Sequence, residues 1–258
     1  MQSTLSQPAP HSLVEKLAFD SVPSHRRYRL RLARYQAMAE AIAAHLKARY
    51  PGCEVDPLKF LDIGPGSGRS LRFLETAGVA DRLEFHGIDN DPRRMLSIFE
   101  PARWQLTHGD VEKGLPYASE QFEICVCEQV LEHLERPRES VAEMVRVLRP
   151  GGLLIVGVPT FPPGVAKLRT MIVSLLDRCI GMKRAHVQSF SSVSFKKLVC
   201  GGRPLELIAC RGVRVISGGF LSQLEDREWW YQFNRWAGRT FPWLCTEIQL
   251  VLRKADAK

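Results

Sequence analysis

The chain has 258 residues, of which 45% are hydrophobic and 25% charged, and a formal net charge of +8 at pH 7. Such a length suits one α/β domain with additions, and the composition is that of an ordinary soluble globular protein. No uninterrupted apolar run reaches the length of a membrane span, which excludes a bundle of transmembrane helices. The stretch 1–24 is polar and Pro-containing, without a charged start followed by an apolar core, and is expected to be a disordered tail rather than a secretory signal. From His25 onward the reading is one domain, with accessory elements at 25–50, 161–200 and 217–244.

In chain order, "YRLRLARYQAMAEAIAAHLKARYPG" predicts a helix, with Leu32, Tyr35, Met38, Ile42 and Leu46 at helical spacing and Pro51-Gly52 as its stop. "LKFLDIG" predicts a short central strand, and "SGRSLRFLETAG" a helix ending near Gly78. "LEFHGIDND" predicts a second strand and "DPRRMLSIFE" a second helix, with Pro92 in its first turn. "RWQLTHGD" and "FEICVCEQ" predict strands, "PRESVAEMVRVL" a helix and "LLIVGVP" a fifth strand. Strands that alternate with helices at this spacing imply βαβ units and a parallel sheet with helices on both faces.

After "VPTFPPG" the pattern changes. The stretch 165–184 carries Leu168, Met171, Ile172, Leu175, Cys179 and Met182 on one helical face and reads either as a helix packed permanently on the domain or as an amphipathic lid over the acceptor site. "HVQSFSSVSFKKLVCGG" predicts a turn and a helix, "LELIACRGVRVI" a strand, "EDREWWYQFNRWAGRTFPW" an aromatic-rich connection and "TEIQLVLRK" a final strand. Trp229, Trp230, Trp236 and Trp243 suit an apolar pocket, a membrane-facing surface or packing under that last strand. The seven cysteines include no C-x-x-C pair and read as reduced structural thiols.

Chemistry concentrates at the ends of the first four strands. In "KFLDIGPGSGRS" an acid, Asp62, precedes Gly64, Gly66 and Gly68 at the turn from strand to helix. Glycines there let the backbone bend and let a ligand approach it closely, and the following helix start offers unpaired N–H groups. The spacing is G-x-G-x-G, not the G-x-G-x-x-G of dinucleotide sites. Asp89 ends the second strand, Asp110 the third, and Glu128 with Gln129 the fourth, so the acids converge on one edge of the sheet. Any one of them alone reads as a cap or turn acid.

Together, "LDIGPGSGRS", "GIDND", "GDVEKGLPY", "CEQVLEHLERP" and "LRPGGLLIVGVP" resemble the successive motifs of class I S-adenosylmethionine-dependent methyltransferases, over roughly 59–159. The small-molecule branch that includes the quinone-biosynthesis enzymes is the most similar, and "HVQSFSSVSFKKLV" resembles its segment after the fifth strand. The resemblance implies a Rossmann-like sheet of seven mostly parallel strands, ordered 3-2-1-4-5-7-6, with the seventh antiparallel. It implies S-adenosylmethionine as cofactor. The loop Asp62, Gly64, Pro65, Gly66, Ser67 and Gly68 would hold the methionine part, and Asp89 the ribose. Asn90, Asp110 and Val111 would lie by the adenine, and Glu128 and Gln129 near the sulfonium. Metal-using quinone O-methyltransferases carry a carboxylate three residues before the Glu of L-E-H. The aligned residue here is Gln129, a poor ligand for a hard cation, so no metal is expected.

The implied reaction is methyl transfer, with O-methylation of a small-molecule, lipid-linked or glycan-precursor acceptor ahead of a quinone. Competing readings are a non-catalytic binder of the cofactor and an RNA methyltransferase. Pro159 lacks the N-P-P-Y/F context of nucleic-acid amino methylases, which argues against nucleic acid. His133 and His186 are the candidate general bases. Cysteine usage and the basic accessory elements suggest a cytoplasmic protein able to touch an anionic membrane at its inner face.

Overall fold

The computed structural model describes residues 29–52, 56–96, 98–160, 188–215, 224 and 227–256. The tail 1–24, the amphipathic stretch 165–184 and His186 lie outside the described residues.

The helices are α1 (Arg29–Arg49), α2 (Arg69–Thr76), α3 (Pro92–Met95), α4 (Pro137–Val147), α5 (Ser192–Cys200) and α6 (Glu228–Thr240). The strands are β1 (Leu58–Ile63), β2 (Leu83–Asp89), β3 (Trp104–His108), β4 (Phe122–Glu128), β5 (Leu148–Pro159), β6 (Leu205–Gly212) and β7 (Glu247–Lys254). They form one sheet ordered β3-β2-β1-β4-β5-β7-β6. β1 to β5 are parallel, and β7 runs antiparallel between β5 and β6. The expected order and the reversed last strand are both present.

β1 and β4 are central and buried on both faces, which is why "FLDI" and "FEICVCE" read as nearly continuous apolar runs. One core lies between the sheet and α4 and α5, and includes Phe122, Met144 and Phe195. The other lies under α1 and α2, where Met38, Ile42 and Leu46 meet Phe60, Phe85 and Trp104. α5 starts with a reciprocal capping box between Ser191 and Ser194. The five cysteines among the described residues are free thiols.

Two expectations change. "DPRRMLSIFE" is helical only over Pro92–Met95. Asp91 caps that turn by accepting from Arg93 N at 3.0 Å, but Phe99 N then donates to Ser67 O at 3.0 Å and ties the chain to the glycine loop. A helix continuing through Phe99 would lose that tie. "EDREWWYQFNRWAGRTFPW" is not a connection: Glu228–Thr240 is a helix of 13 residues. Its buried residues Trp230, Asn234, Ala237 and Tyr231, Gly238 fall at helical spacing, a signal that the β-favouring aromatics obscure.

The accessory element 25–50 is basic in sequence, but on α1 that charge is partly internal. Arg34 is half-buried, with Nη1 at 3.3 Å from Glu247 Oε2. It serves the join between α1 and β7 rather than a solvated surface.

Candidate active site

The carboxyl ends of β1, β2 and β4 and the turn after β3 enclose a cleft of about 380 Å³, lined by residues that include Gly64, Asp89, Asn90, Asp110, Val111, Gln129 and His133. That is within the size range of small-molecule sites, ~300–1,000 Å³. The sequence-predicted residues in this cleft therefore come from four separate strand ends. Arg94 and Glu112 also line it and were not expected. Arg94 follows β2 on a short helix, and its only sequence signal is that position after the Asp89 strand end.

The glycine loop takes its shape from backbone angles that other residues adopt reluctantly. Gly64 has φ +71°, and a Cβ there would lie 2.5 Å from Val130 Cγ2. Gly66 has φ +56° with open space where a side chain would be, and Gly68 has φ +74° against Ile98. Gly64 N donates to Ile88 O at 2.8 Å, which joins the loop to β2 and brings it beside Asp89.

Asp62 does not line the cleft. It sits buried behind the loop and accepts a hydrogen bond from Ser70 Oγ at 2.5 Å, which fastens β1 to the start of α2. Burial pushes its carboxyl up to about 7, with the nearby charge of Asp89 a further cause. Pro65, Gly66, Ser67 and Gly68 likewise shape the loop without forming the cleft wall.

Asp89 is different. It is 5% exposed; Oδ1 accepts from Asp91 N at 2.9 Å, and Oδ2 is buried without a partner. A buried carboxylate oxygen left unsatisfied is costly, and a hydroxyl-bearing ligand in the cleft would satisfy it. Asp110 is partly a cap: Oδ1 accepts from Glu112 N at 3.0 Å, and Oδ2 lies 3.6 Å from Lys113.

Glu128 turns away from the cleft. Its Oε1 accepts from Gln249 Nε2 at 2.8 Å, within a buried group that also holds Arg34, Glu247 and Arg214. Burial pushes its carboxyl up to about 8, opposed by Arg34 and by the Gln249 hydrogen bond. Gln129 follows with φ +59° and lines the cleft in its place. His133 reaches the cleft from the turn after β4, with its side chain 42% exposed and Nε2 3.9 Å from Glu132 Oε1. Glu132 is 2% exposed, and neither of its carboxylate oxygens has a hydrogen-bond partner. Burial pushes it up to about 7. This carboxylate neighbour of His133 is adjacent in sequence, yet only its burial makes it significant.

The three buried acids set a pH dependence. Their folded values lie above those of an unfolded carboxylate, so the folded state retains protons that the unfolded state has lost. Their stabilising contribution is complete below about pH 4 and is lost as pH rises through about 7 to 8. Glu128→Gln, which keeps the shape without the titration, should flatten the fall in melting temperature between pH 5 and 9. An unchanged slope would show that Glu128 is already ionised in the folded protein.

Residues 61–156 match the methyltransferase domain family. An uncharacterized methyltransferase of Mycobacterium marinum is 34% identical over 100 residues, which are 37% of this chain and 36% of the relative. The chain thus spans little more than a third of the length of the curated relatives it matches. A SAM dependent methyltransferase from Aquifex aeolicus superposes with a TM-score of 0.52 at 13% identity, covering 95% of this chain and 98% of that one. The [4+2]-cyclase SpnF superposes with a TM-score of 0.54 at 15% identity, covering 86% and 82%. At such identities the likeness is one of fold, and the cyclase shows that the fold serves more than one chemistry.

Residues 61–156 match a methyltransferase domain, and the sheet order is the one implied by the resemblance to class I S-adenosylmethionine-dependent methyltransferases. The cofactor that this class implies is S-adenosylmethionine, and the residues fit it. Asp89 Oδ2 is a buried acceptor awaiting donors, and the bare backbone at Gly66 leaves room over the loop.

Proposed function

We propose that this chain is a methyltransferase that uses S-adenosylmethionine to methylate an oxygen of a small-molecule, lipid-linked or sugar acceptor. The observation that carries the reading is Asp89, which lines the cleft beside Gly64 of the glycine loop and keeps Oδ2 without a partner. When bound, the cofactor supplies an activated methyl group and a neutral thioether leaving group. Asp89 Oδ2 would accept from the ribose hydroxyls. Asn90, Asp110 and Val111 would border the base, and the Gly64–Gly68 loop the methionine part.

The chain's own part is alignment, exclusion of water and movement of one proton. His133 Nε2 would take the proton of the acceptor hydroxyl as oxygen becomes the nucleophile. Glu132, 3.9 Å from that nitrogen, would favour the resulting imidazolium once its own carboxyl, raised to about 7 by burial, is ionised. Oxygen rather than nitrogen is proposed because a hydroxyl needs this deprotonation more than a neutral amine does.

Titration calorimetry with S-adenosylhomocysteine should show one binding site; no binding by the wild type would overturn the reading. Transfer of a labelled methyl group to extracted metabolites and lipids would then identify the acceptor. With that acceptor, His133→Ala should lower turnover roughly 100-fold while leaving cofactor affinity unchanged. Undiminished turnover would remove His133 from the chemistry.

A further inference from the structure

α6 presents aromatic rings to solvent. Trp229, Phe233 and Trp236 are 59%, 41% and 57% exposed, and the chain continues into Phe241, Trp243 and Leu244 at 37%, 52% and 52%. These rings are contiguous. Starting from Trp229 and passing through the buried Trp230, successive centroids lie 5.6, 5.4, 5.9, 6.1 and 5.5 Å apart, ending at Trp243. Single exposed apolar residues are ordinary, but an unbroken run of this kind marks a surface that meets something.

Folding does not require that face. The helix is held by its opposite side, where Trp230 and Tyr231 pack with Leu30, Ala33 and Val213. Asn234 is fully buried; it accepts from Val215 N at 3.1 Å and donates to Trp230 O at 2.9 Å. These contacts set α6 against the carboxyl end of β6. The aromatic face therefore lies on the same edge of the sheet as the cleft, displaced towards the β6 side.

The charge beside the rings is uneven. The acids of this stretch, Glu225, Asp226 and Glu228, stand at or before the first turn. In the second half, Arg235 Nη2 and Arg239 Nη2 lie 2.6 and 3.4 Å from the two oxygens of one acid, Glu40. Arg211 lines the same small recess, so three arginines there meet one acid, and Arg239 is 59% exposed on the helix that carries the rings.

We propose that this face docks on an anionic lipid bilayer, with the second half of α6 and Phe241–Leu244 in the headgroup region. Trp combines a large apolar ring with an N–H donor and belongs at the boundary between headgroups and acyl chains, while arginine meets the phosphates. A second copy of the chain would place this surplus of arginine against itself, which disfavours that occupant. No helix among the described residues is long and apolar enough to cross a membrane, so the contact is in the plane of the surface. Docking would turn the cleft-bearing edge towards the lipid. The proposal stands on the aromatic face alone and does not depend on the methyl-transfer reading.

The test is co-sedimentation of the full chain with vesicles of phosphatidylcholine, with and without phosphatidylglycerol, together with tryptophan fluorescence. The wild type should bind the anionic vesicles with a blue shift, and less so at high salt. A Trp236→Ala/Trp243→Ala double variant should lose at least roughly tenfold in binding at unchanged melting temperature. Arg239→Glu should weaken binding without touching the rings. Failure of the wild type to bind anionic vesicles would overturn the proposal, as would equal binding by a folded double variant. A dimer in sedimentation that the double variant dissociates, without vesicle binding, would give the face to a second copy instead.

Discussion

Asp89→Ala should weaken binding of S-adenosylmethionine and of its demethylated product by roughly 10- to 100-fold, the usual effect of losing about 1.5–3 kcal/mol of hydrogen bonding to a charged group. The substituted side chain is the cleft acid with a buried oxygen left unpaired. Its other oxygen holds Asp91 N at 2.9 Å, so the Ala variant also frees the turn that begins α3. Asp89→Asn separates the two effects. It can keep an acceptor on Asp91 N while offering the ligand an amide in place of a carboxylate. An intermediate affinity for Asn is expected, with a melting temperature close to that of the wild type. Calorimetry that finds both variants equal to the wild type would mean that Asp89 does not hold the cofactor.

The largest expected loss of stability is at the opposite edge of the sheet. Glu123, at the start of β4, is fully buried. It meets His45 Nε2 at 2.6 Å, accepts from Tyr50 Oη at 2.8 Å, and lies 3.7 Å from Arg49 and 3.5 Å from Arg149. These partners come from the end of α1 and from β5, so one carboxylate joins three elements. Glu123→Ala should destabilise the protein by about 1–3 kcal/mol, because it takes the acceptor from the half-buried His45 and Tyr50, whereas Arg49 and Arg149, each 37% exposed, can turn to water. Urea unfolding measures this directly, and a loss below about 1 kcal/mol would place the group among ordinary surface pairs. The site lies far from the cleft, so the cofactor affinity of the remaining folded protein should be unaffected.

These two carboxylates show what could be read from sequence and what could not. Asp89's place in the cleft was legible because its position is local: it ends a β-run and begins a turn. Nothing local distinguishes Glu123. In "QFEICVCEQ" it reads as a polar residue at the edge of an apolar run, and only the return of α1 across the sheet surrounds it with His45 and Tyr50. Glu128 teaches the converse. Its position at a strand end suggested the cleft, but a strand end has two faces. Gln249 and Arg34 arrive from elements more than ninety residues away and draw the carboxylate to the other side.

The order of the sheet was legible only through the family resemblance, but the alternating strands and helices and the glycine loop were determined by the sequence itself. Those depend on short-range rules: apolar runs for buried strands, helical spacing between them, glycine where φ must be positive, and right-handed crossovers. Tertiary structure alone decided which acids share a cleft, which are locked in buried pairs, and which side of α6 faces outward. Each of those outcomes depends on desolvation and on partners brought together from distant parts of the chain, and a carboxylate or a tryptophan is written the same way in sequence whether its neighbours are water, an arginine or nothing.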